Sequence, residues 1–426
     1  MKVLLVGSGG REHTLCWKIA QSSLVDEIFC APGNGGIAQE AICIDIASED
    51  IGSLMRFAKD NAIDCTVVGP EAPLVAGLVD AFRAEGLPVF GPEKNAALLE
   101  GSKIFAKEVL RDCSIPTARF GTFTGIAHAK DFIRNADFDL VVKADGLAAG
   151  KGVIVTSSKD EAFDAVETIL LKKEFGSSGE SVVIEERLRG EEASFIAICD
   201  GEHIIPLASS QDHKPIFDND KGPNTGGMGA YSPAPIVDST IWGKVMDEIL
   251  YPLVAGLRAK GITYRGVLYA GLMIVDSTPS VLEFNVRMGD PETQPLLMRL
   301  SSDIVPVLIT VAQGGSIRNI ELSWETGPSV CVVMASGGYP GSYEKGKKIT
   351  GIEHADALEG VKVFHAGTRL EGSSFFTSGG RVLGVTALGQ DLPATIEKAY
   401  QAVSLISFDS AFYRNDIGFK ALKRFA

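Results

Sequence analysis

The chain has 426 residues, of which 45% are hydrophobic and 22% are charged, and its formal net charge is −14. This composition is typical of a folded globular protein with about three domains, and it excludes a disordered chain and a collagen. The acidic charge without a basic block argues against nucleic-acid binding, and no apolar run approaches the roughly 18 residues of a membrane span.

The first hundred residues alternate short apolar runs with helical patterns. Lys2–Val6 predicts a strand, which passes through a glycine-rich turn into an amphipathic helix over Glu12–Gln21. Further strand-like runs continue the alternation at Glu27–Cys30, Cys65–Val68 and Pro88–Phe90. This pattern predicts an N-terminal α/β domain with a parallel sheet over residues 1–100.

A glycine-rich loop, Asp145–Gly152, dominates the next region. Strands and a helix are predicted around it at Leu140–Ala144, Val153–Thr156, Lys159–Lys173 and Ser181–Glu185. This arrangement predicts a small α+β subdomain, at about 120–188, inside a larger domain that spans 101–323.

The polar stretch Gln211–Pro235 has no regular pattern, and we predict a long loop there. A helix is predicted near Trp242–Lys260, followed by two strands at Gly266–Val275 and Ser280–Val286. The remaining residues, 324–426, predict a separate C-terminal α+β domain.

Cysteine and histidine usage indicates the compartment and the class of metal. The seven cysteines are odd in number and form no C-x-x-C pair, which favours reduced thiols over a disulfide framework or a zinc site. The apolar start Met1–Val6 is too short for a signal peptide. We therefore expect a cytoplasmic protein with no membrane association and no obligate protein partner. With six scattered histidines, any metal is expected to have oxygen ligands.

The segment Gly7–His13 resembles a dinucleotide-binding turn but fails its test. Glu12 stands where the third glycine of G-x-G-x-x-G is needed, and no acidic residue ends the second strand. A strand-to-helix turn at a helix N-terminus still suits one phosphate, bound by the amides of Gly9 and Gly10 and by Arg11. A tight turn with a purely structural role remains the alternative.

Lys143 lies in an apolar strand, where a lysine is costly unless it is paired with an anion. The loop after it does not match a P-loop, because Gly152 follows Lys151 where Ser or Thr is needed. Its backbone amides are nevertheless suited to covering phosphates. A mobile surface hairpin explains this segment equally well.

The acidic segment Ile184–Glu192 leaves one strand and enters another. Its backbone edge is able to pair with adenine, and one of its carboxylates with ribose hydroxyls. Taken alone, an exposed acidic loop is the more frequent explanation of such a pattern.

The strand ending near Val286 carries the sharpest pattern in the chain. Residues two apart share a strand face, so Glu283, Asn285 and Arg287 are predicted to lie on one side. The alternate residues are predicted to face the core: Leu282, Phe284 and Val286. Two oxygen ligands together with phosphates are typical of Mg²⁺, and an adjacent arginine stabilises a transferring phosphoryl group. An edge strand with a wet polar face is the less favoured alternative.

Together these segments resemble the ATP-grasp enzymes, and more closely the phosphoribosylamine–glycine ligases. Arg287–Gln294 is similar to the signature of that family, with Met288 where Phe or Leu is expected. Supporting segments are spread over the chain at Gly7–His13, Gly69–Leu74, Lys143–Gly152, Gly226–Pro233 and His365–Thr368.

The resemblance implies a ligase of purine biosynthesis. ATP, glycine and 5-phosphoribosylamine would give glycinamide ribonucleotide, ADP and phosphate through glycyl phosphate. The implied cofactors are ATP and Mg²⁺, with Mn²⁺ as the alternative metal. The implied fold is an N-terminal α/β domain, an ATP-grasp core holding a small lid, and a C-terminal domain.

The resemblance also implies roles for particular residues. Catalysis is assigned to Arg287 and Lys143, and metal binding to Glu283 and Asn285. Nucleotide binding is assigned to Lys103, Lys143, Gly150, Gly152, Glu185, Glu186, Leu188 and Glu192. Substrate binding is assigned to Gly9, Gly10, Arg11, Asp212, Asp290, Pro291 and Glu292.

Two other functions compete with this one. The first is a sister ATP-grasp enzyme of purine biosynthesis, of the carboxylase or formyl-transferring type, against which the signature Arg287–Gln294 argues. The second is a non-catalytic nucleotide-binding protein, which would be expected to have lost Glu283, Asn285 or Arg287.

Overall fold

The N-terminal part is a five-stranded sheet with connecting helices, in a computed structural model that describes residues 1–147, 152–174 and 176–425. Its strands are β1 (Lys2–Gly7), β2 (Glu27–Pro32), β3 (Ile42–Cys43), β4 (Cys65–Val68) and β5 (Val89–Phe90). Its helices are α1 (Gly10–Ile19), α2 (Ile51–Asp60), α3 (Glu71–Ala76), α4 (Leu78–Ala84) and α5 (Lys94–Gly101). The strands are all parallel in the order β3-β2-β1-β4-β5, which confirms the predicted α/β sheet.

The turn from β1 into α1 depends on glycine. Gly7 has a φ of 130°, a value that L side chains rarely adopt. A Cβ atom at Gly7 would also lie 2.5 Å from Cγ of Glu12. The start of α1 is therefore packed directly against the end of β1.

The lid follows the helix α6 (Lys103–Asp112). It consists of β6 (Phe120–Phe123), α7 (Ile126–Asn135), β7 (Leu140–Ala144), β8 (Val153–Val155), α8 (Lys159–Leu170) and β9 (Val182–Glu186). The four strands pair antiparallel in the order β6-β9-β7-β8 and share an apolar core with α7 and α8. This is the small α+β unit that the sequence predicts.

The central part contains the longest strands. Its strands are β10 (Glu191–Asp200), β11 (Ile204–Pro206), β12 (Gln211–Asp212), β13 (Pro215–Phe217), β14 (Lys221–Asn224), β15 (Gly229–Ser232), β16 (Arg265–Val275) and β17 (Thr278–Asn285). Its helices are α9 (Ser239–Lys244), α10 (Tyr251–Ala259), α11 (Thr293–Arg299) and α12 (Val305–Ala312), with a π-helical turn at Val245–Leu250 between α9 and α10. Strands β11-β10-β16-β17 form one antiparallel sheet.

The alternation predicted for β17 is wrong at one residue. Gly271 pairs with Glu283 and Leu272 pairs with Val281, so Leu282 is the extra residue of a β-bulge. Val281 is fully buried in the core, whereas Leu282 lines a pocket. The bulge changes which side chains face the core, and the sequence pattern does not show it.

The loop predicted over Gln211–Pro235 is also wrong, because this stretch contains β12 to β15. These strands are short and polar, so they lack the alternation that identifies a strand from sequence. Within this stretch β12 pairs with β15 and β13 pairs with β14. The strand β15 also pairs with β18, the first strand of the C-terminal part, so one sheet extends across the predicted domain boundary at 324.

The C-terminal part is α+β, as predicted. Its strands are β18 (Ser329–Ser336), β19 (Lys348–Ile349), β20 (Val361–His365), β21 (Thr368–Glu371), β22 (Ser374–Thr377), β23 (Arg381–Leu388) and β24 (Ala411–Phe412). Its helices are α13 (Ile352–Asp356), α14 (Leu392–Leu405) and α15 (Phe419–Phe425). The main sheet has the order β12-β15-β18-β23-β20. Within the described residues, no helix combines the length and apolarity that a bilayer crossing requires.

Candidate functional site

A pocket of about 470 Å³ lies where all parts of the chain meet. Arg11 from α1, Lys143 from β7, Glu283 from β17 and Arg381 from β23 all contribute to its wall. The sequence-predicted residues that line it are Arg11, Lys103, Lys143, Gly152, Asp212, Glu283, Asn285, Arg287, Asp290 and Glu292. The tertiary structure therefore brings together residues that are up to several hundred positions apart.

Other predicted residues lie outside the pocket wall. Among the described residues these are Gly9, Gly10, Glu185, Glu186, Leu188, Glu192 and Pro291. Gly150 falls outside the described residues. The Glu186 side chain pairs with exposed Arg119 at 2.9 Å, so it points away from the pocket. Glu185 and Glu192, by contrast, each form an ion pair with a lysine of the wall.

Lys103, Lys107 and Lys143, together with Glu185, form what we call the lysine cluster. Glu185 is buried, with Oε2 2.5 Å from Lys107 Nζ and Oε1 paired with Lys143 Nζ. This carboxylate is the anion that a buried Lys143 requires. Burial lowers the pKa of Lys103 and of Lys107. Lys107 and Lys143 share this carboxylate, whereas Lys103 Nζ donates to the Gly146 carbonyl at 2.9 Å, so the cluster has an excess of positive charge that suits a polyanion.

Glu283 and Asn285 lie two residues apart on β17, and both face the pocket as the alternation predicts. Burial acts to raise the pKa of Glu283, but Lys214, Lys143 and other cations outweigh it and the net shift is downward. Glu283 is therefore ionised at neutral pH. One carboxylate and one amide oxygen fit a hard divalent cation that takes its other ligands from phosphates and water. The described residues contain no group of three acidic, cysteine or histidine side chains placed to hold a metal.

Arg287 follows β17 and is tied to two carboxylates. Its Nε donates to Glu71 Oε2 at 3.1 Å, and its Nη2 donates to Glu100 Oε1 at 2.8 Å. Its Nη1 donates to the carbonyl of Met288 at 3.2 Å. Burial acts to lower the pKa of Arg287, but the nearby carboxylates of Glu100 and Glu71 outweigh this effect and the net shift is upward. The guanidinium is therefore permanently charged.

Two further arginines complete what we call the arginine cluster, which comprises Arg11, Arg287, Arg381 and their carboxylate partners. Arg11 Nε donates to Glu12 Oε1 at 2.5 Å, and Arg381 Nη2 donates to Asp290 Oδ2 at 3.1 Å. Glu12 also accepts the Gly9 amide at 2.6 Å. One of the backbone donors predicted to bind a phosphate is therefore already engaged within the turn.

Asp212 lies at the end of β12, with Lys214 two residues later. Burial raises the pKa of Asp212 to about 7, with Lys214 opposing the shift and Glu292 and Glu192 adding to it. Lys214 Nζ lies 2.9 Å from Glu192 Oε2 and 3.8 Å from Glu283 Oε1. Lys214 therefore links the predicted ribose-binding carboxylate with the predicted metal ligand.

Several polar residues of the pocket wall were not identified as site residues from the sequence. They are Glu71, Glu100, Lys107, Lys214, Tyr269 and Arg381. Lys107 had a local signal, because it lies four residues after Lys103 on α6 and hence on the same helix face. Glu100 and Arg381 had none, since each acquires its role from a partner far away in the sequence.

Family models match nearly the whole chain. The models for the N domain, the ATP-grasp (A) domain and the C domain of phosphoribosylglycinamide synthetase match residues 1–100, 101–293 and 329–420. The chain is 55% identical to a phosphoribosylamine–glycine ligase of Allochromatium vinosum, over 100% of this chain and 99% of that protein. It is 53% identical to the Vibrio cholerae protein of the same name, with the same coverage of both chains.

Solved structures have the same architecture. A crystal structure of phosphoribosylamine–glycine ligase from Thermotoga maritima superposes with a TM-score of 0.85 at 34% identity, covering 98% of this chain and 100% of that one. A biotin carboxylase from Campylobacter jejuni superposes with a TM-score of 0.75 at 15% identity, covering 97% and 92%. The second similarity concerns the fold alone.

Proposed function

The chain belongs to the phosphoribosylglycinamide synthetase family, and from this membership and its site we infer that it ligates glycine to 5-phosphoribosylamine. The reaction uses ATP, yields glycinamide ribonucleotide, ADP and phosphate, and belongs to purine biosynthesis. The observation that carries the inference is a single pocket in which the lysine cluster adjoins Glu283 and Asn285. Such a pocket is suited to a nucleoside triphosphate and to the group that its γ-phosphate activates.

The first chemical step makes glycine an acyl donor. A carboxylate oxygen of glycine attacks the γ-phosphorus, the bond to the β-phosphate oxygen breaks, and ADP leaves. Lys103 and Lys143 are proposed to hold the phosphates, and Arg287 to stabilise charge on the transferring group. Support comes from the excess positive charge of the lysine cluster, of which Lys107 is a member. The protein contributes position and electrostatics rather than a covalent intermediate.

The second step forms the amide bond. The amine nitrogen of 5-phosphoribosylamine attacks the carbonyl carbon of glycyl phosphate, inorganic phosphate leaves, and the nitrogen loses a proton. We propose that Arg11 and the Gly10 amide bind the 5′-phosphate at the start of α1. Asp212 and Glu292, both buried at the pocket wall, are suited to the ammonium group of glycine.

The nucleotide base and the remaining substrate contacts are also proposals. The backbone of Glu185, Glu186 and Leu188 is proposed to face adenine, and Glu192 to bind ribose hydroxyls. Gly150 and Gly152 are proposed to cover the phosphates. Asp290 and Pro291 are proposed to bind substrate, and Asp290 forms an ion pair with Arg381.

We propose that Glu283 and Asn285 hold the divalent cation, Mg²⁺ or alternatively Mn²⁺. When bound, such an ion neutralises charge across the phosphates. The donor set supports this, since a depressed pKa keeps Glu283 anionic. Electron paramagnetic resonance of Mn²⁺ with a non-hydrolysable ATP analogue tests it without turnover. Bound Mn²⁺ is expected for the native protein and its loss for Glu283→Ala, whereas equal binding by both would reject the assignment.

The activity itself is tested by phosphate release from ATP. Release is expected to require both glycine and 5-phosphoribosylamine and to match the glycinamide ribonucleotide formed. Formate and bicarbonate serve as controls, because the sister enzymes of formyl-transferring or carboxylase type would use one of them. Phosphate release with either control substrate, and none with glycine, would reject the proposed reaction.

A cytoplasmic location is likewise proposed. All seven cysteines are free thiols in the structure, as expected in a reducing compartment. Fractionation of cells that contain the tagged protein tests this, and recovery from an oxidising compartment would contradict it.

A further inference from the structure

We propose that Glu100 is a positioning residue that orients the Arg287 guanidinium for phosphoryl transfer, a role that rests on the proposed function. Glu100 lies on α5, in the segment matched by the N-domain model, whereas Arg287 lies in the ATP-grasp match. The N-terminal part would thus determine the geometry of a residue that acts in the ATP-grasp part.

The geometry begins at the end of β17. The last ladder pair of this strand joins Asn285 to Tyr269. Beyond it, the Val286 amide donates instead to Glu100 Oε2 at 2.8 Å. The other oxygen, Oε1, accepts from Arg287 Nη2 at 2.8 Å. One carboxylate therefore accepts hydrogen bonds from both the backbone after β17 and the guanidinium that follows it.

The Arg287 guanidinium still has free hydrogen-bond donors within the described structure. It has five N–H donors in total. In the described structure three are engaged, by Glu71, Glu100 and the Met288 carbonyl. The two remaining donors, one on each terminal nitrogen, are left for a ligand in the pocket that Arg287 lines. The side chains of Arg287 and Glu100 are only 18% and 9% exposed, so neither turns freely.

Glu100 and Glu71 make different contributions. Glu71 accepts only from Nε of Arg287. Glu100 bonds to a terminal nitrogen and also to the backbone one residue after Asn285. Loss of Glu100 is therefore expected to misdirect the guanidinium without removing its charge.

The central experiment is a double-mutant cycle of Glu100→Gln with Arg287→Ala in the complete enzyme. Each oxygen of Glu100 accepts one hydrogen bond, from the Val286 amide or from Arg287 Nη2. A glutamine side chain has only one carbonyl oxygen, so it would accept only one of these two bonds in the same geometry. For Glu100→Gln we expect kcat to fall about ten- to hundredfold, by analogy with the loss of groups that orient metal ligands. The KM values for ATP, glycine and 5-phosphoribosylamine should stay within about threefold, because the orientation matters in the transition state. The double variant should be no slower than Arg287→Ala alone, since coupled residues are not additive.

Glu93→Gln is the matched control. Glu93 precedes α5 and also pairs with an arginine, Arg83, at 2.6 Å, but it does not line the pocket. Its kcat and KM values are expected to equal those of the native enzyme. Circular dichroism and thermal melting of each variant report whether the fold is retained.

Three outcomes would overturn the proposal. They are a native kcat in Glu100→Gln, multiplicative losses in the double variant, and an equal loss in Glu93→Gln. If Glu100→Gln does not fold, Glu100→Asp takes its place, since it retains the charge but shortens the reach and is expected to show the same coupling. An inactive native enzyme would refute the proposed reaction, whereas an active one without coupling refutes only the role of Glu100.

Discussion

The lysine cluster and the arginine cluster line one pocket but differ in charge balance. Lys107 and Lys143 share a single carboxylate, Glu185, and Lys103 forms no ion pair among the described residues. The three arginines are tied to four carboxylates, which are Glu12, Glu71, Glu100 and Asp290. One cluster has an excess of positive charge, whereas in the other the carboxylates outnumber the guanidinium groups by four to three before any ligand arrives.

The difference assigns different tasks to the two clusters. An ammonium group is a point charge on a flexible stem, so an unbalanced group of lysines attracts a polyanion without imposing an orientation. A guanidinium between carboxylates has a fixed plane and presents its remaining donors in set directions. We therefore expect the lysine cluster to determine nucleotide affinity. We expect the arginine cluster to determine how the transferring phosphoryl group and 5-phosphoribosylamine are oriented.

The largest effect is expected at Glu283, which lies near both clusters. Glu283→Ala should lower ligase activity by more than about a hundredfold, because it removes a direct ligand rather than an outer partner. Steady-state rates at saturating ATP and moderate Mg²⁺ measure this, with circular dichroism to verify the fold. Asn285→Ala should act in the same direction but less strongly. Near-normal turnover in Glu283→Ala would show that neither cluster depends on this carboxylate.

The next effect separates the clusters at Lys143. Lys143→Met should weaken binding of a non-hydrolysable ATP analogue by about two decades, since a charged contact contributes about 1.5–3 kcal/mol. Lys130→Met is the control, because Lys130 pairs with Glu167 on the lid, 2.5 Å away and outside the pocket. Calorimetric titration measures both variants. Equal affinity losses in the two would mean that the lysine cluster has no special role.

A smaller effect is expected at Arg11, which tests the arginine cluster. Arg11→Ala should raise the KM for 5-phosphoribosylamine by about one decade, because Glu12 already engages part of the guanidinium. The affinity for ATP should stay near the native value. If instead ATP binding weakened and 5-phosphoribosylamine were unaffected, the turn at the start of α1 would belong to the nucleotide.

The smallest effect concerns stability and Asp212. Its pKa is raised from 3.8 to about 7 in the folded protein, chiefly by burial. Between these values the folded state binds more protons than the unfolded state, so stability falls as the pH rises through this window. Asp212→Asn should therefore raise the melting temperature at about pH 8, with a gain that shrinks towards the unfolded pKa. A variant that is less stable than the native protein at the higher pH would contradict this sign.

Some patterns that repeat within a few residues were read correctly from the sequence. The strands β4 and β7 were predicted at their observed bounds, because each is a continuous apolar run bounded by turn residues. The common face of Glu283 and Asn285 was also predicted, since strand alternation has a period of two. The resemblance of Arg287–Gln294 to a known signature then indicated the reaction.

What depends on distant partners was decided only by the tertiary structure. The bulge at Leu282 results from pairing with β16, and β15 exists because β18 lies beside it. The carboxylate that orients Arg287 comes from 187 positions earlier in the chain. Local propensity determines which residues form a strand or a helix, but a buried charge acquires its partner from whichever segment the fold brings within hydrogen-bonding distance. The sequence by itself therefore determined many of the elements and, through the family resemblance, the reaction, whereas the balance of charge in the two clusters depended on the assembled domains.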